Sequence, residues 1–277
     1  MDVAARRVAF RRLHESGCFV IPNPWDVGSA RYLQALGFKA LATTSGGFAF
    51  SRGRPDGGVP RDEVLAHIAE VVAAADLPVN ADFEAGYAHE PEGVAENVRL
   101  CVETGMAGLS IEDATGNRDR PLYEFPLAVE RIRAARAAID TSGADVLLTA
   151  RAECFLVGHP DPLGEAVRRL QAYAEAGADV LYAPGPTERG QIEAIVKAVS
   201  PKPVNVLVSA NTGLRVDDLA ELGVRRISTG SSLARAVWTG FIRAAKLIAE
   251  EGSFAGFDGL TPYAELNEFF KKQGAGG

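Results

Sequence analysis

Short apolar runs alternate with longer stretches of helical period along the whole chain. Runs at 18–23, 39–45, 108–113, 145–151, 179–183, 203–208 and 224–229, with one more opening at Val79, are rich in Val, Ile, Leu and Ala. Their continuity, without strict apolar–polar alternation, predicts strands buried on both faces. Between them the spacing changes to a helical period. In 60–75, Val64, Ile68, Val71 and Val72 fall on one stripe. Further helices are predicted at 24–36, 91–104, 125–139, 162–176, 187–199, 216–222 and 231–251, several stopped by a glycine such as Gly37, Gly105, Gly177 or Gly223. A leading helix covers 1–15. A last amphipathic helix, 263–272, gathers Tyr263, Leu266, Phe269 and Phe270 on one side. That side needs a partner, either its own barrel or a neighbour's. Polar loops are predicted at 51–58 and 114–123.

Eight strand–helix units in succession mean parallel strands joined by crossovers. In 277 residues this fits an α/β fold of the (β/α)8 TIM-barrel type with an extra C-terminal helix. An open doubly wound sheet would also hold eight units. However, Asn23-Pro24-Trp25-Asp26 after the first strand supplies no glycine-rich dinucleotide turn. No linker or composition break interrupts the chain. The expectation is therefore one barrel domain over 1–277, with 252–277 as a C-terminal helical extension.

In such barrels chemistry collects at the carboxyl ends of the strands. Ser45, Gly46 and Gly47 are expected there from strand two, with Asp56 on the following loop. Strand three brings Asp82 and Glu84, strand four Glu112 and Asp113, strand five Arg151 and Glu153, and strand seven Asn205. On an extended strand, residues two apart share a face, so Asp82 and Glu84 should meet at one spot. Carboxylates held close repel unless a cation or a shared proton lies between them. A hard ion such as Mg2+ is the ordinary solution. A 2-oxo acid could chelate that ion through its carboxylate and carbonyl, with Arg151 balancing charge and the Gly46 and Gly47 amides holding the carboxylate. Blander alternatives stand beside each residue: an ion pair at the barrel top for Arg151, turn chemistry in Pro-Asp-Gly for Asp56, and a tight connection for Ser-Gly-Gly.

Composition narrows the classes. A net charge of −7 argues against a nucleic-acid or membrane surface, and no apolar run is long enough to span a bilayer. Cys18, Cys101 and Cys154 are odd in number and widely spaced, so neither a disulfide framework nor zinc spacing is visible, and a cytoplasmic location is expected. Cys154 reads as a structural thiol and Cys101 as core. His14 and His89 read as surface or capping residues. Gly230-Ser231-Ser232 reads as an ordinary helix start in preference to a phosphate site.

The set Asn23-Pro24-Trp25-Asp26, Thr44-Ser45-Gly46-Gly47, Asp56, Asp82-Phe83-Glu84-Ala85-Gly86-Tyr87, Ile111-Glu112-Asp113, Ala150-Arg151 and Asn205 runs in order through nearly the whole chain. It resembles the isocitrate lyase/phosphoenolpyruvate mutase superfamily. The resemblance implies Mg2+, with Mn2+ as a substitute, held at Asp82, Glu84 and Glu112 with Asp56 nearby. It implies pyruvate-like ligands and C–C or C–P chemistry through an enolate. It also implies a homo-oligomer, a tetramer built as a dimer of dimers, often with the last helix exchanged between subunits. The sequence departs from the lyases of that group in the loop after strand four. Residues 114–121 contain no Cys and no His, which argues against isocitrate or methylisocitrate cleavage by the route that uses them.

The resulting expectation is a Mg-dependent lyase acting on a small 2-oxo or 2-hydroxy acid by C–C cleavage. Asp56, Glu112 and Arg151 are the candidate catalytic residues. Ser45, Gly46, Gly47, Asp82, Arg151 and Asn205 are the candidate substrate contacts. The alternatives are C–P chemistry on a phosphonate, a non-catalytic 2-oxo acid binder, and a phosphosugar barrel using the last two strand loops.

Overall fold

The computed structural model describes residues 1–274. The chain divides into two compact parts, one ending at Ser232 and one beginning at Leu233.

The first part is the barrel. Its strands are β1 (Phe19–Ile21), β2 (Leu41–Ala42), β3 (Val79–Asp82), β4 (Gly108–Glu112), β5 (Leu147–Arg151), β6 (Val180–Tyr182), β7 (Val204–Leu207) and β8 (Arg226–Ser228). All paired neighbours are parallel, in the order β1-β8-β7-β6-β5-β4-β3-β2. Between β2 and β1 the Ala42 amide donates to the Pro22 carbonyl at 3.0 Å, which brings the two ends of the sheet together. The fold is thus the (β/α)8 barrel that the alternating pattern predicts. Strands buried on both faces explain their apolar runs: Leu41, Val79, Leu109, Leu148, Leu181 and Ile227 are all essentially inaccessible. Each such side chain contributes about 1.5–3 kcal/mol through burial.

The outer ring contains α2 (Val27–Ala35), α4 (Arg61–Ala74), α5 (Pro91–Glu103), α6 (Phe125–Ser142), α7 (Pro162–Glu175), α8 (Arg189–Val199) and the short α9 (Val216–Glu221), with α1 (Val3–Leu13) before the barrel and α3 (Ser45–Ser51) between β2 and α4. Local chemistry sets their ends. Asp26 caps α2 in a reciprocal box with Ser29, and Asp161 caps α7 through the Gly164 amide.

The leading helix α1 closes the amino-terminal end of the barrel. Its Phe10 packs with Ile21, Ala40, Ala42, Ala107 and Leu147. Arg6 and Arg7 donate to the carbonyls of Val72, Ala75, Val102 and Met106, loose ends of the outer helices. Gly108 is required beneath this plug: a Cβ there would lie 2.6 Å from Phe10 Cε1.

Two expectations are corrected here. Strand two is only Leu41–Ala42, and Ser45-Gly46-Gly47 opens α3, capped by Thr44. His14 stands at the α1 C-cap position as anticipated, but its ring is buried between Phe10 and Phe19 and does not lie on the surface.

The second part holds α10 (Ser232–Glu251), a 3-10 turn (Ala255–Phe257) and α11 (Tyr263–Gly274). The division between the two parts falls at the first turn of α10, between Ser232 and Leu233. Trp238 and Phe241 meet edge to face at 5.4 Å, and Val237, Phe241, Ile242, Tyr263, Leu266 and Phe270 are exposed. Among the described residues no helix is long and apolar enough to cross a membrane, and all three cysteines are free.

Candidate active site

Register decides which side chains meet at the carboxyl ends of the strands. Asp82 ends β3 and pairs with Ser110, while Glu112 and Arg151 are direct neighbours on β4 and β5. Arg151 is the hub. Its Nη1 donates to Asp82 Oδ1 at 2.8 Å, its Nη2 lies 3.1 Å from Glu112 Oε2, and its Nε donates to Glu153 Oε1 at 2.9 Å. The Tyr182 ring lies 5.2 Å from the guanidinium carbon. Burial works against the arginine's charge, but Glu153, Glu112 and Asp82 outweigh it and hold the guanidinium well above its ordinary range. Arg151 is therefore always charged.

Asp82 is held on its other side as well. Its Oδ2 accepts from the Ser45 amide at 2.9 Å, at the start of α3, where helix N–H groups have no partner within the helix. Its own amide donates to Thr43 Oγ1. Asp56 reaches the same place from the loop after α3, bonded to the Ser45 side chain and the Gly57 amide. The residue is exposed on its loop, yet its carboxyl end is crowded, and this partial burial, then the neighbouring Asp82, pushes the carboxyl upward. Gly46 must be small: a Cβ would lie 3.2 Å from Asp56 Oδ2. The Gly47 amide is taken by Thr44 Oγ1 at 3.2 Å, so of the two glycines expected at a ligand only Gly46 lines the cavity.

Glu84 does not sit as an extended strand would place it. The strand ends at Asp82, and Glu84 has a left-handed backbone (φ 47°), as does Tyr87 (φ 54°). For non-glycine residues this conformation is strained and concentrates at functional sites. The Tyr87 hydroxyl donates to Glu84 Oε1 at 2.7 Å. Burial raises the Glu84 carboxyl to about 7 despite that bond.

Asp113, one residue beyond Glu112, belongs elsewhere. Its Oδ2 takes Tyr173 O–H at 2.6 Å and Arg169 Nη1 at 3.0 Å, and its Oδ1 takes the Glu153 amide at 2.8 Å. It ties β4 and β5 to α7 and faces away from the mouth. Cys154 and Cys101 are buried, and burial raises the Cys154 thiol to about 12, so it is an inert structural group as expected.

A cavity of about 190 Å³ opens at the mouth, lined by Ser45, Gly46, Asp56, Asp82, Arg151 and Asn205 among the anticipated residues. Glu112 joins the cluster beside it through Arg151, and Glu84, held by Tyr87, lies close enough to feel the charges of Asp82 and Asp56. Sequence reasoning missed Asn80, Ser110, Tyr182, Arg226 and Ser228, which line the cavity too. The signal was present: apart from Tyr182, each is a polar residue interrupting an apolar strand. A barrel interior admits such residues only where polar partners or a ligand meet them.

Five acids, Asp56, Asp82, Glu84, Glu112 and Glu153, share this mouth with Arg151. The carboxyls of Asp56, Glu84, Glu112 and Glu153 are all pushed upward, chiefly by burial. Among the described residues no three acids, histidines or cysteines converge as a ready metal cage. Asp82 and Glu112 are turned to Arg151, and Glu84 to Tyr87. The donor set is nonetheless all oxygen and in excess over positive charge. That suits a hard cation bound through one or two carboxylates and water.

An α/β barrel with an acidic mouth around a fixed guanidinium is an enzyme scaffold for small anionic ligands at its strand ends. The chain belongs to the phosphoenolpyruvate phosphomutase family, whose model matches residues 10–249, and so to the isocitrate lyase/phosphoenolpyruvate mutase superfamily of lyases and mutases. It is similar to oxaloacetate decarboxylase of Pseudomonas entomophila (32% identity, covering 81% of this chain and 78% of that enzyme) and to 2-methylisocitrate lyase of Escherichia coli (32%, covering 63% and 60%). Among solved structures, a Burkholderia cenocepacia J2315 protein provisionally named a lyase/mutase matches at 48% identity, with a TM-score of 0.93 and 97% of each chain covered. Oxaloacetate acetylhydrolase in complex with oxalate matches at 26% identity, with a TM-score of 0.84 and 100% of this chain and 99% of that one covered.

Proposed function

We propose that the protein is a Mg2+-dependent lyase that cleaves a C–C bond beside the carbonyl of a small 2-oxo acid, or of the corresponding 2-hydroxy acid. The observation that carries this reading is the convergence of Asp82, Glu112 and Glu153 on Arg151, with Asp56 across the same cavity. The metal would be held at Asp82, with Glu84 and Glu112 reaching it directly or through water; Mn2+ would substitute. When bound it supplies a Lewis acid to the ligand's carbonyl.

The chain's own groups do the rest. Arg151 stays charged through the reaction and faces the negative charge that grows on the carbonyl oxygen as the bonding pair leaves the breaking C–C bond. The Gly46 backbone allows a carboxylate to approach closely, and Ser45 and Thr44 fix the start of α3 on Asp82. Where the carbon beside the breaking bond carries a hydroxyl, Asp56, whose carboxyl is raised, takes the hydroxyl proton as that C–O becomes a carbonyl and the C–C pair passes to the enolate. It then gives the proton to the enolate carbon. Where the departing group is carbon dioxide, a protonated Asp56 supplies the proton directly. Support for C–C cleavage comes from the two relatives named as an oxaloacetate decarboxylase and a 2-methylisocitrate lyase, each 32% identical, while a solved structure named for phosphonomutase chemistry at 34% identity keeps phosphonopyruvate in the test below. We further propose that the exposed apolar residues of α10 and α11 meet a second copy of the chain, in a homo-oligomer.

The test is pyruvate release from a panel of 2-oxo and 2-hydroxy acids in Mg2+, with phosphonopyruvate run in parallel. Turnover of a carboxylic acid that stops with chelator or with Asp82→Ala supports the reading. Turnover of phosphonopyruvate alone would contradict it.

A further inference from the structure

Arg226 is a buried cation without an acid. It enters the barrel interior from β8, is 3% exposed, and lines the cavity below the mouth. Its Nε donates to Asn205 Oδ1 at 2.8 Å, its Nη2 donates to Thr149 Oγ1 at 2.9 Å, and its Nη1 lies 3.3 Å from His14 Nε2. All three partners are neutral. Burial, then Arg226 itself, holds the His14 imidazole down to about 3, so the ring is neutral at neutral pH: its Nδ1–H donates to the Phe10 carbonyl at 2.8 Å, which leaves Nε2 to accept from Arg226. Among the other deeply buried guanidiniums, Arg151 meets three carboxylates and Arg169 two; Arg131 has no acid either, but it is capped by the carbonyls of Ala85, Ala88 and His89 and covered by the Tyr123 ring, and it does not line the cavity. A guanidinium has five N–H donors, and the three neighbours of Arg226 take three.

An uncompensated charge in a barrel core is costly to keep. Burial lowers the Arg226 pKa to about 10, which leaves it charged at neutral pH. It stands at the first residue of β8, two residues before the strand's end at Ser228, a drop of about 7 Å along the strand. We propose that Arg226 anchors a second anionic group of the substrate, a carboxylate that descends into the barrel while the reacting end stays at the mouth. This rests on the reading of the mouth given above and adds a subsite to it. The missing counter-charge is then the ligand's own, and the enzyme distinguishes di-acids from mono-acids at the floor of the cavity. Asn205 acts as a positioning residue. It accepts from Arg226 Nε while its Nδ2 donates to Ser228 Oγ at 2.9 Å, so the guanidinium plane is fixed from the next strand.

The test compares lactate with malate, which share a 2-hydroxy acid end and differ in the second carboxylate. Binding is measured calorimetrically in Mg2+ on the full chain, with oxalate as the ligand that has only the mouth end. The wild type should bind malate at least about tenfold tighter than lactate. Arg226→Met should bring the two within roughly threefold and leave oxalate unchanged, while its melting temperature falls modestly because Asn205 Oδ1, Thr149 Oγ1 and His14 Nε2 lose their donor. Arg226→Lys should keep part of the preference. An unchanged malate preference in Arg226→Met overturns the proposal. So does a parallel fall of all three ligands, which is what a purely structural arginine would give. If the wild type binds neither oxalate, lactate nor malate, the reading of the mouth itself fails, and this subsite with it.

Discussion

Asp82 and Arg151 face each other across the barrel mouth, Nη1 to Oδ1 at 2.8 Å, and the other Asp82 oxygen is fixed by the Ser45 amide at 2.9 Å. One carboxylate thus joins the guanidinium of β5 to the first turn of α3. The position of the acid is set from two sides before any ligand arrives.

Removing the guanidinium should therefore cost both activity and stability. Arg151→Met leaves Glu112, Glu153 and Asp82 around an uncharged side chain. Breaking buried pairs from one side costs about 3–5 kcal/mol. Turnover should fall by about a hundredfold or more, the scale for losing a preorganised charge at a developing anion. Arg151→Lys should recover much of the stability and little of the rate, because an ammonium cannot fork to three carboxylates. Urea unfolding and steady-state kinetics separate the two effects.

The Gly46 position gives a narrower perturbation. In Gly46→Ala the new methyl would sit 3.2 Å from Asp56 Oδ2 and push that carboxylate off Ser45. Displacing a proton-handling group by a fraction of an ångström predicts a fall in kcat of about tenfold to a hundredfold. KM should change little and the protein should stay folded. An unchanged kcat would remove Asp56 from the chemistry.

Much of this arrangement was legible in the chain, and the misreadings have physical causes. Eight apolar runs gave eight strands because a parallel barrel buries both faces of each. Asp82 and Arg151 are legible because an acid and an arginine that end apolar runs must collect at one rim, and Asp56 because the loop that carries it leaves from the same rim. α3 was missed because Ser-Gly-Gly has poor helix propensity; the Thr44 cap and the stacking of Phe48 on His67, 3.8 Å apart, hold it instead. Asp113 was grouped with Glu112, yet adjacent residues at a strand end point to opposite faces. The same alternation separates Arg225, half-buried on the outer side and bonded to the Gly17 carbonyl, from Arg226 in the barrel interior. Nothing in the pair Arg-Arg says which is inside until register is known.

Acid should weaken the fold through its buried histidines. His67 is 5% exposed, and its Nε2 has no hydrogen-bond partner. Burial lowers its pKa from 6.5 to about 4. The folded pKa lies below the unfolded one, so between these values the unfolded chain binds more protons. The contribution is complete above about pH 6.5 and is lost as pH falls toward 4, on the order of 3 kcal/mol over that window. His14 acts in the same direction. His67→Phe, which keeps a ring beside Phe48, should flatten the slope of unfolding free energy against pH in this range. An identical slope would contradict the assignment.

The Asp113 cluster predicts the opposite balance from Arg151. Tyr173→Phe removes the 2.6 Å bond to a buried carboxylate. The loss should be about 1–3 kcal/mol in urea unfolding. The kcat of the folded enzyme should hold within roughly twofold, because Asp113 ties β4 and β5 to α7 and does not face the cavity.

The most direct measurement asks whether the mouth stabilises an enolate at all. Pyruvate is incubated with the protein in D2O, and its methyl protons are followed by NMR with and without Mg2+. Exchange of the methyl protons that requires Mg2+, and that disappears in Asp82→Ala and Arg151→Met, is the predicted result. Pyruvate that binds in Mg2+ without exchanging, or exchange that persists in chelator and in Asp82→Ala, would contradict the account.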